Sequence, residues 1–321
     1  MTKRERVIAA IEMKEPDKTP SLFSCHFPKE ATKGDEAVRA HIDYFKEIDT
    51  DVVKVMNEYL IHSHHPISTV DDYASVGAYG IKAGFFQKQL DITRRVVDAF
   101  QGEAFTCGTL HGITASGIHP IETGGVPYET CREMLCSFLR EDREKTFGQL
   151  ERTCDMMCAL ARAYIEETGV DSVYYASLGG EPGYFTDEEF DTVIKPLDMR
   201  VMQTIKEAGG YCILHICKGP LNMKRYEGMD KYADVVNWGV YETGMSLEEG
   251  GKLFPGKCIL GGLENHNGVL ANGTEAEIRA EVENVISSFG RKGFILGADC
   301  TIPYAQDRNK LLAAVHAARG E

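Results

Sequence analysis

Eight short apolar runs, separated by stretches of helical periodicity, constrain this chain more than any other feature. They read TPSLFSCHF from residue 19, DVVKVM from 51, AFTCGTL from 104 and DSVYYASL from 171. YCILHIC from 211, DVVNWG from 234, KCILGGL from 257 and GFILGADC from 293 complete the set. Between them the periodicity predicts a long helix near 142–168 and others near 187–208, 274–288 and 307–319, after an opening helix that stops before Pro16. Thr186 and Thr274 precede acidic first turns and read as N-caps, and Gly209 suits a helix C-terminus. Eight strands alternating with helices is the arithmetic of an α/β (βα)8 TIM-type barrel. A doubly wound open sheet would read similarly. Neither GxGxxG nor GxxxxGK[ST] occurs, so no nucleotide-binding fold gains support. No repeat or linker interrupts the pattern, and the expectation is one domain over residues 1–321 with an N-terminal helical extension.

Charge narrows the function. The 35 basic residues are outnumbered by 49 acidic ones, a net charge of −14, which disfavours nucleic acid or an anionic membrane as partner. The N-terminus lacks the continuous apolar core of a signal peptide, and no run of eighteen apolar residues occurs. The ten cysteines include no CxxC pair. A cytoplasmic protein with reduced thiols is the expectation.

In a barrel, polar residues at the C-terminal ends of strands mark the active face. Those positions hold Cys25 and His26, Asn57 and Glu58, Glu181, His215 and Cys217, Trp238, Glu264 and Asn265, and Asp299 and Cys300. Strand side chains alternate, so His215 and Cys217 point to one side and Ile216 to the other. An imidazole and a thiol there reach one ion, and zinc takes nitrogen and sulfur donors, three of them in a catalytic site. Cys300, after an 82-residue gap (218–299), ends the last strand and is the best-placed third donor. Taken alone, His-x-Cys is a weak signal, and a buried cysteine beside a core histidine explains it as well.

The opening MTKRERVIAAIEMKEPDKTP resembles that of the uroporphyrinogen decarboxylase superfamily. ILHIC, DVVNW, LFPGKCILGGLEN, GFILGADCTIP and a terminal NKLLAAVHAAR follow in that family's order and spacing. The resemblance runs nearly end to end and implies a (βα)8 barrel. Its decarboxylase branch carries arginines after the first strand to hold substrate carboxylates. Here SLFSCHFPKE has none, and DVVKVMNEYL gives no clear counterpart of an aspartate expected after the second strand. A tetrapyrrole with eight carboxylates would meet few cations.

The other branch comprises zinc methyltransferases that move a methyl group between a corrinoid and a thiol such as coenzyme M. His215, Cys217 and Cys300 match its His-x-Cys…Cys motif. The resemblance therefore implies Zn2+ on these three residues and methylcobalamin or another corrinoid as donor or acceptor. A free thiol is mostly protonated at neutral pH, and coordination removes its proton. Two protein thiolates would leave a bound substrate sulfur electron-rich. No D-x-H-x-x-G corrinoid motif occurs, so the corrinoid is expected on a partner protein.

Other residues carry smaller expectations. Lys218 stands where many relatives have glycine, and it either meets an anionic substrate group or is a solvated loop residue. Glu181 is a candidate zinc carboxylate or base, with His215 beside it in the reacting centre, or only orients its loop. Trp238 lines the pocket, packs under the barrel or stacks on a flat cofactor. His62, His64 and His65 read as loop histidines or a second metal site, and Cys154 and Cys158 as core packing. The function expected is methyl transfer between a corrinoid protein and a small thiol or related acceptor. The alternatives are a decarboxylase-type lyase for a tetrapyrrole or smaller acid, and a non-catalytic corrinoid- or thiol-binding barrel.

Overall fold

The computed structural model describes residues 1–100 and 102–321. All eight runs form strands: β1 Ser21–Leu22, β2 Val52–Val55, β3 Phe105–His111, β4 Ser172–Ser177, β5 Tyr211–Ile216, β6 Val235–Trp238, β7 Cys258–Leu263 and β8 Phe294–Ala298. Every recorded pairing is parallel, in the order β1-β8-β7-β6-β5-β4-β3-β2. The remaining seam, between β1 and β2, is bridged by Asp51 N, which donates to Ser21 O at 3.1 Å and leaves the barrel nearly closed. The fold is a (βα)8 TIM-type barrel. Strands buried on both faces explain the nearly continuous apolar runs, because helices cover the outside and side chains fill the inside.

The helices follow the sequence pattern. Arg143–Ala163 runs on into a π turn at Tyr164–Thr168, and Lys195–Glu207 and Glu275–Phe289 stand where periodicity predicts them. Thr186 and Thr274 each accept a backbone N–H at N3 and receive the reciprocal Glu189 and Glu277 contacts of a capping box. Gly209 ends its helix at φ +89°, a conformation open to glycine without strain.

The opening helix, Lys3–Ile11, packs against β2, β3 and β8. Its Arg6 pairs with the fully buried Asp51, whose other oxygen accepts Ser21 N at 3.0 Å and Ser21 Oγ at 3.1 Å. The sealed N-terminal end leaves the opposite mouth as the open one. No helix among the described residues is long and apolar enough to cross a membrane.

Candidate functional site

β5 ends in His215-Ile216 and leads directly into Cys217, while β8 leads through Asp299 into Cys300. Because all strands run parallel, these two ends open on the same mouth. One donor atom from each of His215, Cys217 and Cys300 lies within 4.8 Å of the other two, with His215 Nε2 3.4 Å from Cys300 Sγ. Among the described residues this is the one group of three or more His, Cys, Asp or Glu side chains placed so. A tetrahedral zinc ion sets nitrogen and sulfur ligands roughly 3.5–3.8 Å apart, so the donor set and its spread fit such an ion with little adjustment.

The two thiols are unequal. The neighbouring Cys217 thiol holds the Cys300 thiol well below its usual range, against its burial. Cys300 in turn, together with burial, pushes Cys217 well above it. The two thiols and His215 form one cluster. Beneath it the buried Lys54 places its Nζ 3.7 Å from the Tyr174 ring centre and 3.5 Å from Ser24 Oγ. Burial depresses its ammonium, and the charge of Cys300 and other nearby thiols acts the opposite way.

Cys217 and Cys300 line a cavity of about 450 Å³. His26, Glu58, His111, His119 and Glu122 also line it, together with the exposed Lys218, Glu242 and His266. His26 Nδ1 contacts Glu58 Oε1 at 2.9 Å. Burial alone would raise the Glu58 carboxyl, but the bond and charge of His26 outweigh it and lower it. Burial holds His111 near about 4 and His119 well below its usual value, so both are neutral at pH 7. Lys218 is the one lysine or arginine in this lining, against three glutamates. It adopts φ +72° and sets its Nζ 5.1 Å from the Tyr128 ring centre.

Glu181 is 5% exposed and does not line the cavity. Its Oε1 accepts from Arg132 Nη2 at 2.6 Å, and Oε2 has no partner among the described residues. Arg132, from the helix Tyr128–Glu141, also lies 3.7 Å from the Tyr184 ring centre, which ties the loop after β4 to that helix. Trp238 corrects the expectation of a cofactor contact. It is fully buried away from the cavity, its Nε1 donates to Met245 O at 3.0 Å, and it packs on Phe254. Adjacent strand residues face opposite ways, so it is Asn237 that points into the barrel.

The other strand-end residues divide by role. Asn265 joins the cavity lining, whereas Glu264 accepts Asn267 N at 2.8 Å and shapes its own turn. Asn57 caps the Tyr59 backbone, and Cys25 is buried in a bridge to Ile302. Asp299 is buried, accepts Tyr241 N at 3.0 Å, and is pushed up to about 7 by that burial. His62 and His64 pack around Tyr79, while His65 bonds Ser75, so these three do not converge on one point. Cys154 is buried and Cys158 partly buried on their helix.

Fold and site together define a (βα)8 barrel with a soft-donor cluster at the face where such barrels do chemistry. Within that class, the chain belongs to the uroporphyrinogen decarboxylase (URO-D) family, whose sequence pattern matches residues 47–320. A methyltransferase from Methanosarcina mazei superposes with a TM-score of 0.80 at 13% identity, covering 99% of this chain and 98% of that one. A B12-independent methionine synthase from Shewanella sp. W3-18-1, in complex with selenomethionine, gives a TM-score of 0.58 at 13% identity over 94% and 97%. At these identities the likeness is one of fold. No curated protein matches the chain significantly.

Proposed function

We propose that the protein is a methyltransferase that moves a methyl group between a corrinoid, presented by a partner protein, and a small thiol or related acceptor. The observation that carries this reading is the convergence of His215, Cys217 and Cys300 on one point, with the two cysteines in the wall of an open cavity. A neighbour in fold that is named a methyltransferase supports the methyl-transfer part of this reading.

His215, Cys217 and Cys300 would hold zinc. Bound there, zinc would supply a Lewis acid that draws the pKa of a substrate thiol toward neutrality, muted in charge by two thiolate donors. The chain's own residues do the rest. The cavity admits the acceptor beside Cys217 and Cys300. The neutral His111 and His119 offer hydrogen bonds without adding charge. Glu181 is held away from the cluster by Arg132 and steadies the loop after β4.

The decarboxylase reading has the family name in its favour and the cavity against it. A polycarboxylate needs several cations, and one lysine among three glutamates does not supply them. The deciding experiment incubates purified, zinc-loaded protein with methylcobalamin and a panel of small thiols. Methylated thiol formed by the wild type and not by Cys217→Ser is the expected result. Absence of stoichiometric zinc, or zinc content indifferent to Cys217→Ser, would overturn the reading.

A further inference from the structure

Asn237 lies next to His215 across the β5–β6 ladder, the two residues being register partners. It is fully buried, and each of its polar atoms has a defined role. The amide Nδ2 donates to Leu260 O at 2.8 Å and to Ala298 O at 3.3 Å. Two backbone carbonyls can only be met by a donor, which settles which end of the amide is nitrogen. Oδ1 therefore faces the other way, toward Tyr174 and His215. Tyr174 OH donates to it at 3.0 Å, and burial keeps that phenol protonated, far from its ionised form. The oxygen has one lone pair left, and His215 Nδ1 sits 2.5 Å from it.

At that distance an unprotonated Nδ1 would set lone pair against lone pair. We infer that Asn237 is a positioning residue that fixes the proton of His215 on Nδ1, so that Nε2 is the nitrogen turned toward Cys300 with its lone pair free for a metal. The Tyr174 ring, 5.1 Å from the imidazole and tilted 31° to it, limits rotation of the histidine. Tyr174 also uses up the second lone pair of Oδ1, so the amide has no slack with which to turn. The network has every donor and acceptor satisfied, the condition under which buried polar groups impose one geometry. The inference rests on the metal reading only for its purpose; the tautomer itself is a property of the protein alone.

The test has two parts. Protein labelled with 15N-histidine, with His215 assigned by the loss of its signals in His215→Gln, reports which ring nitrogen carries the proton, both metal-free and with zinc. The expected result is a protonated Nδ1 in both. An unprotonated Nδ1 overturns the inference. In parallel, chelator competition measures zinc affinity in Asn237→Leu and Asn237→Asp. Asn237→Leu is expected to bind zinc about 10–100-fold more weakly, the usual cost of losing a contact that orients a ligand. Asn237→Asp keeps an acceptor toward Nδ1, with its other oxygen protonated to meet Leu260 O, and is expected to bind zinc more tightly than Asn237→Leu, a contrast that a purely space-filling role would not produce. Equal zinc affinity in wild type and Asn237→Leu overturns the inference. If Asn237→Leu fails to fold, the nitrogen signals of the wild type decide. A wild type that takes no zinc but shows a protonated Nδ1 sinks the metal reading and leaves the tautomer lock standing.

Discussion

Cys300 Sγ lies 3.4 Å from His215 Nε2 although the two residues are 85 apart in the chain. Only a parallel barrel, in which β5 and β8 end on the same face, makes that contact. The first prediction follows from it. Cys217→Ser and Cys300→Ser are each expected to lower zinc affinity by more than the roughly 10–100-fold that loss of a supporting contact costs. Inductively coupled plasma analysis of metal content after dialysis, with chelator competition, measures this. Retention of one zinc per chain by both variants would remove the cluster from consideration.

Arg132 and Glu181 form the second test. Both side chains are nearly buried, at 5% and 6% exposure, and their atoms meet at 2.6 Å. Removing one partner from such a pair strands a charge, whereas removing both can be close to neutral. Arg132→Met is expected to lose roughly 3–5 kcal/mol of stability. Adding Glu181→Gln to it is expected to restore most of that loss. Urea denaturation of the two single variants and the double variant gives the coupling directly. Additive effects would show that Glu181 is not ionised and paired.

The barrel and the His/Cys/Cys cluster were legible in the sequence for different reasons. Each strand declares itself locally, because burial on both faces leaves an apolar run such as CILGGL. The cluster was legible because its first two members stand two apart on one strand, a spacing that fixes their shared direction. Asn237 was not. It lies in DVVNWG beside the more conspicuous Trp238, and the run does not reveal which of two neighbours faces inward. That parity depends on the register of β6 against β5, a relation between strands that local pattern does not carry. Arg132 escaped for a similar reason. The sequence shows no arginine after β1, yet one arrives beside the site from a helix between β3 and β4. Lys54 and Tyr174 looked like ordinary strand residues, and their place under the thiols emerges only on closure.

Trp238 supports a third prediction. A Cβ added at Gly250 would sit 2.0 Å from the indole, which is fully buried and tied to Met245 O. Gly250→Ala therefore forces the ring or the helix Leu247–Leu253 to shift, at a cost of about 1–3 kcal/mol. Thermal unfolding should show the loss. Zinc affinity should change little, since the indole lies outside the cavity. A large fall in zinc affinity at unchanged stability would return Trp238 to the site.

Asp198 carries a prediction about pH. It is fully buried in the helix Lys195–Glu207, and three donors meet its carboxylate: Ile113 N at 2.9 Å, Ser177 Oγ at 2.7 Å and Tyr175 OH. It thereby joins β4 to the start of the helix Ile113–Glu122, whose later residues His119 and Glu122 line the cavity. Burial pushes its carboxyl from 3.8 up to about 6, and the three hydrogen bonds only partly offset that. A raised carboxyl pKa means that the folded protein binds this proton more tightly than the unfolded chain does. The corresponding stability is fully present below about pH 4 and is lost as pH rises through about 6. At about 1.4 kcal/mol for each pH unit, the window is worth roughly 3 kcal/mol. Asp198→Asn cannot titrate, so the margin of wild type over this variant should shrink by about that amount between pH 4 and pH 7. Urea denaturation at half-unit intervals reads the margin. A constant difference across the range would mean that the carboxylate keeps an ordinary pKa and that its three donors fully offset its burial.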